Sequence, residues 1–137
     1  MAERHQGPVA TDRWFLGSRL RVVSDAVSSG GLLTVLEQWA PAGFSPPLPV
    51  HHREDTALHV LEGELTVVVG AVTTSVGPRE MPLLPRDVPH TFRVDSDGAH
   101  FLEYATPGGV EAFSRYGGEI RGPPLEGGPT ADGATDV

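Results

Sequence analysis

Short β-prone runs punctuated by turn residues, with almost no helical periodicity, are what most restricts the folds open to this chain. Trp14 to Ser24, Leu32 to Ala40, Leu58 to Leu61, Glu64 to Val69, Val72 to Val76, Met81 to Leu84, His90 to Val94 and His100 to Ala105 are rich in Val, Leu, Thr and aromatic residues. Gly, Pro or Asp separates one run from the next. Closely spaced strands of this kind bury their alternating apolar faces as an antiparallel sandwich or barrel. Only Val110 to Tyr116 reads as a short C-terminal helix, with Val110, Phe113 and Tyr116 on one side. Residues 1–12 are polar and are expected to form a flexible arm, 13–119 one domain. Residues 120–137, made of Gly, Pro, Thr and acids, are expected to form a disordered tail.

Two segments carry the chemistry. In GFSPPLPVHHREDTALHVLEG, Gly43 and Gly63 bound a frame in which Pro49, His51 and Thr56 fall at fixed spacings. In GPREMPLLPRDVPHTFRV, Pro85 and His90 fall likewise, with Arg79 before them, Asp87 between and Val94 after. The frame resembles the two motifs of the cupins. The first of these reads Gly, five residues, His, one residue, His, four residues, Glu, six residues, Gly. The second reads Gly, five residues, Pro, one residue, Gly, two residues, His, and Asn four positions on. The resemblance runs from about Trp14 to Glu119. Its flavour, in WFLG, LEQWAPAGF, VLEGELTV and TPGGVEAFSRYGGE, is that of the small single-domain cupins similar to quercetin dioxygenase. It implies an all-β cupin jelly roll and, because small cupins commonly pair through their sheets and N-terminal strands, a homodimer.

In the family, two His, a Glu and a last His converge on a metal. Here Pro49 and Thr56 replace the first His and the Glu, leaving His51 and His90. Two imidazoles hold a divalent ion loosely without defining the geometry that oxygen activation needs. No cofactor is therefore expected, the alternative being Fe, Mn, Ni or Zn bound weakly by His51 and His90. Glu54, Asp55 or Glu103 are the residues that would rebuild a ligand set.

The charge and composition narrow the partners. A formal net charge of -8 disfavours nucleic acid. The ten basic residues are all Arg, which excludes a lysine Schiff base, and there is no cysteine, which excludes thiolate chemistry and disulfides. No apolar run approaches a membrane span or a signal-peptide core, so the expected location is the cytoplasm.

His51, His90, Glu103 and Tyr104 are the candidate catalytic groups. Gln38, Thr56, Leu58, Trp14, Trp39, Phe92 and Phe101 are the candidate pocket lining. On strand alternation, one of Glu37 and Gln38 faces inward, Thr56, Leu58 and Val60 share the inner face, and His59 faces away. His52 and His100 are expected at the surface. Arg86 and Arg93 are expected at turns or the surface, the alternative being contact with an acidic substrate at the mouth. Three functions fit this set. The first is a metal-independent enzyme of cyclase, isomerase or dehydratase type, acting on a small, largely apolar molecule of natural-product biosynthesis. The second is a quercetinase-like dioxygenase with a rebuilt ligand set, and the third a non-catalytic binding module.

Overall fold

The computed structural model describes residues 12–15, 17–46, 48–109 and 119–122. Every regular element among them is a β-strand: β1 (Asp12–Phe15), β2 (Ser18–Ser24), β3 (Thr34–Pro41), β4 (Leu48–Val50), β5 (Asp55–Glu62), β6 (Leu65–Val69), β7 (Val72–Val76), β8 (Leu83–Leu84), β9 (His90–Val94), β10 (Gly98–Thr106) and β11 (Glu119–Gly122). Three antiparallel sheets result, ordered β1-β2-β3-β10-β5-β8, β7-β6-β9 and β11-β4. No helix among the described residues is long and apolar enough to cross a membrane.

The expected all-β jelly-roll sandwich is what the chain forms, with differences of detail. The run from Trp14 to Ser24 is broken into two strands at Gly17, whose φ of 85° turns the chain back on itself. Two strands were not anticipated, β4 and β11, and they pair with each other. The boundary expected after residue 119 therefore falls inside β11. The helix expected over Val110 to Tyr116 lies outside the described residues, as do residues 1–11 of the arm and 123–137 of the tail.

The core is shared between sheets. Leu58, Val60 and Phe101 from the six-stranded sheet pack against Leu65, Val67, Phe92 and Val94 from the three-stranded one. Phe92 meets Phe101 edge-on at 5.3 Å between centroids and leans on Phe44 at 5.8 Å. Such tilted and T-shaped pairs place a ring's positive edge against a negative face. A second, smaller cluster joins Leu20, Leu36, Ala105 and Val22. Glu103 stands between them on β10, two positions from Phe101 of the first and from Ala105 of the second.

The motif frame survives in the backbone even where its residues have changed. Gly43 and Gly63 have φ of 80° and 100°, and a Cβ at Gly63 would stand 2.6 Å from the carbonyl oxygen of Gly98. Arg79 and Asp87, at the two glycine positions of the second motif, also keep positive φ, 73° and 68°. A non-glycine residue in this left-handed region costs roughly 1–2 kcal/mol, less for Asp, whose short side chain bonds locally.

We therefore expect Gly63→Ala to be strongly destabilising, on the order of 2–3 kcal/mol, since strain and a backbone clash add. Arg79→Gly should be neutral or stabilising by up to about 1 kcal/mol, the relieved strain offsetting the greater freedom of the unfolded chain. Urea midpoints at unchanged slope measure both.

Candidate functional site

Strand register determines which candidates meet. Across β2, β3, β10 and β5 the inward-facing residues fall into rows: Leu20, Gln38, Phe101 and Val60 form one, and Val22, Leu36, Glu103 and Leu58 the next. On the facing sheet Val67 pairs with Phe92 and Val69 with His90. Residues 95–97 carry the chain from β9 directly into β10. The Phe92–Phe101 contact therefore aligns the two strands, and the next inward residues, two positions away on each, are His90 and Glu103. Each faces inward from its own sheet.

Glu103 is the least sealed member of its surroundings. Its strand neighbours Phe101 and Ala105 and its lateral partners Leu36 and Leu58 are at most 1% exposed, yet Glu103 itself keeps accessible surface. Burial away from bulk water pushes its carboxyl up to about 7.

His51 follows β4 and stacks on His90, ring centroids 5.3 Å apart and planes 21° from parallel. Both are 5% exposed. Burial, then the neighbouring His90 and His52, lower His51 to about 4. Burial also lowers His90, opposed by its bond to the Val88 carbonyl. Both rings are neutral at pH 7. The His90 Nδ1 to Val88 O distance is 3.2 Å. A carbonyl only accepts, so the proton sits on Nδ1 and Nε2 presents a lone pair. The Glu54 carboxylate, buried, lies 3.8 Å from His51 Nδ1. The Asp87 amide donates to the His51 carbonyl at 2.7 Å, tying the two motifs together.

The remaining candidates divide by strand parity. Gln38 faces inward and donates to Ser18 Oγ at 2.6 Å, a buried partner that the sequence reading missed. Thr56 is buried, its hydroxyl donating to the Leu84 carbonyl at 3.3 Å. Leu58 and Phe101 are sealed core residues, and Phe92 is nearly so. Three expected site residues point the wrong way. Tyr104, adjacent to inward Glu103, lies on the outer face, 3.3 Å from His59 Nδ1. Trp39 alternates with inward Gln38 and stacks outside on His100, 4.9 Å and 9° apart, with the Arg19 guanidinium 4.2 Å from its ring centre. Trp14, the register partner of Arg19, is 50% exposed. His100 is only partly exposed, because Trp39 covers it and Glu37 holds its Nε2 at 2.7 Å. Glu37, like Trp39, belongs to the outer face.

The residues present do not make the family's metal set. Pro49 offers no side-chain donor, and the Thr56 hydroxyl is turned to a backbone carbonyl. Asp55 is held by the Arg86 amide and guanidinium at 2.8–3.3 Å. Among the described residues no group of three or more His, Asp or Glu is arranged to hold a metal ion. Arg93 is likewise engaged, with Asp95 at 2.8 Å.

The sequence profile described as "Cupin domain" matches residues 35–103. No curated protein matches the chain. Among solved structures, an RmlC-like cupin from Shewanella frigidimarina aligns at 17% identity and TM-score 0.68, over 82% of this chain and 96% of that one. The polyketide cyclase RemF from Streptomyces resistomycificus aligns at 23% and 0.62, over 77% and 79%. Oxalate decarboxylase from Bacillus subtilis aligns at 20% and 0.66, over 73% of this chain and 28% of its own. At these identities the likeness is one of fold.

The raised carboxyl of Glu103 makes a stability prediction. Below about pH 4.5 the group is neutral folded and unfolded, so it contributes no difference. As pH rises toward 7 the unfolded chain ionises first, and stability is lost. Glu103→Gln should therefore gain up to about 3 kcal/mol over wild type at pH 8 and nothing at pH 4. His51 acts oppositely, its contribution present above pH 6.5 and lost as pH falls toward 4. Thermal melts of the Glu103→Gln variant against wild type across this range test the assignment.

Proposed function

The chain belongs to the cupin family, and from that premise we propose that it is a metal-independent acid–base enzyme acting on a small, largely apolar organic molecule. The reaction is of cyclase, isomerase or dehydratase type. One arrangement carries the reading: Glu103, whose carboxyl burial pushes up to about 7, faces inward two positions from Phe101, and His90, whose Nδ1 is bonded to the Val88 carbonyl so that Nε2 presents a lone pair, faces inward two positions from Phe92, the ring that Phe101 meets. A group whose pKa lies near ambient pH is the efficient proton donor, and a neutral imidazole the matching acceptor. In this scheme Nε2 of His90 takes a proton from the substrate. Glu103 returns one to a carbonyl or hydroxyl oxygen. His51 packs against His90 and limits its rotation.

Two further facts support the reading. The ligand positions of the first motif carry Pro49 and Thr56, and Asp55 is engaged by Arg86. A polyketide cyclase is among the folds this chain resembles, so the architecture is compatible with ring-closing chemistry in natural-product biosynthesis. Binding in a closed, largely apolar interior would hold a flexible substrate in one reactive shape and keep water away.

Activity on the true substrate should survive exhaustive chelation. It should fall by roughly 10²–10⁴ in Glu103→Gln and in His90→Ala, the range for loss of a general acid or base. In wild type, kcat should decline above about pH 7 as Glu103 loses its proton. Loss of turnover on chelation, restored by one equivalent of metal, would overturn the reading.

A further inference from the structure

We infer that the interior selects uncharged substrates, admitting a neutral aromatic ketone or hydroxy compound and refusing a carboxylate or phosphate of the same shape. The inference deepens the acid–base reading and rests on it only for taking this interior as the substrate site.

The ground is where the cations are. The chain has no lysine. Every arginine whose side chain is described is outside the barrel: Arg19 and Arg21 lie against the outer face of Trp39, Arg53 and Arg79 are exposed, Arg86 is joined to Asp55 and Arg93 to Asp95. No helix terminus among the described residues supplies a substitute positive end. Among the described residues, what faces inward is neutral or anionic. On β3 and β5, the strands flanking Glu103, the inward residues are Thr34, Leu36 and Gln38 and Thr56, Leu58 and Val60, none of them titratable. The titratable groups from the facing side are His51, His90 and Glu54. An anion entering here would lose its hydration with no cation among the described residues to receive it, and would meet the Glu103 carboxyl besides. A neutral molecule meets a donor in protonated Glu103, an acceptor in His90 Nε2 and apolar walls. These suit a carbonyl oxygen and an acidic C–H or O–H.

The test uses the full chain in chelator-treated buffer and a matched pair of probes, 2-acetylnaphthalene and 2-naphthoate, by equilibrium dialysis at pH 6 and pH 8. The ketone should bind at least about thirtyfold more tightly at pH 8, the ratio that corresponds to about 2 kcal/mol for an unpaired buried anion. The gap should narrow severalfold at pH 6, where Glu103 is protonated. In Glu103→Gln it should be smaller at pH 8 and independent of pH. Naphthoate binding as tightly as the ketone, or neither probe binding at millimolar concentration, overturns the inference. A gap in wild type that ignores pH overturns the part assigned to Glu103. Loss of turnover on chelation with the ketone preference intact would remove the acid–base reading and leave this one standing. Turnover that survives chelation while naphthoate binds best would do the reverse.

Discussion

The edge-on contact between Phe92 and Phe101 is the interaction on which the site depends. It bridges the two large sheets, and side chains along a strand alternate at a fixed spacing, so one such contact aligns every layer above and below it. One step along β9 and β10 from that contact, the layer changes from aromatic packing to His90 and Glu103. The apolar layer excludes water and holds the strands. The polar layer next to it acquires the shifted proton affinities that burial imposes on a carboxyl and two imidazoles. The same desolvation acts on all three and drives them toward neutrality from opposite sides, carboxyl up and imidazoles down.

Conservation of shape and loss of ligands have separated in this chain. The turns that the cupin frame builds with glycine are still left-handed at Gly43, Gly63, Arg79 and Asp87. The strands between these turns present Pro49, on β4, and Thr56, on β5, at the positions where the family frame has ligands. Backbone turns are constrained by how the strands must reverse, whereas a ligand side chain is constrained only by what it must bind. Arg79 and Asp87 show that the conformational requirement outlasts the residue that satisfies it most easily.

The outer face of the six-stranded sheet has an order of its own. Arg19, Trp39 and His100 occupy one register row on three adjacent strands, and the rings lie nearly parallel beneath the guanidinium. Cross-strand stacking of this kind, with Glu37 closing on His100, adds cation–π and ionic contacts between strands. It also explains why aromatic residues that read as pocket walls are absent from the pocket.

Much of this was legible in the residues alone. The alternation of apolar side chains specified an all-β domain, and the spacing of Gly43, His51, Gly63, Pro85 and His90 specified which strands carry the site. Parity already required that only one of Glu37 and Gln38, and one of Glu103 and Tyr104, face inward. Which one of each pair did so was beyond it, because parity needs an absolute reference that only the packed sheet supplies: Leu36 and Phe101 in the core settle both. Trp14 and Trp39 were misread because an aromatic side chain is equally at home in a pocket wall or a stacked outer ladder, and the choice belongs to the register of β1, β2 and β3. The pairing of β11 with β4 joins residues about seventy apart, and no local signal announces it. The sequence by itself determined the types of group available: imidazoles, carboxyls, arginines and no lysine or cysteine. The tertiary structure decided that the described arginines stand outside while Glu103 and His90 face inward from opposite sheets, because burial and distance, not residue type, determine how tightly a group holds its proton.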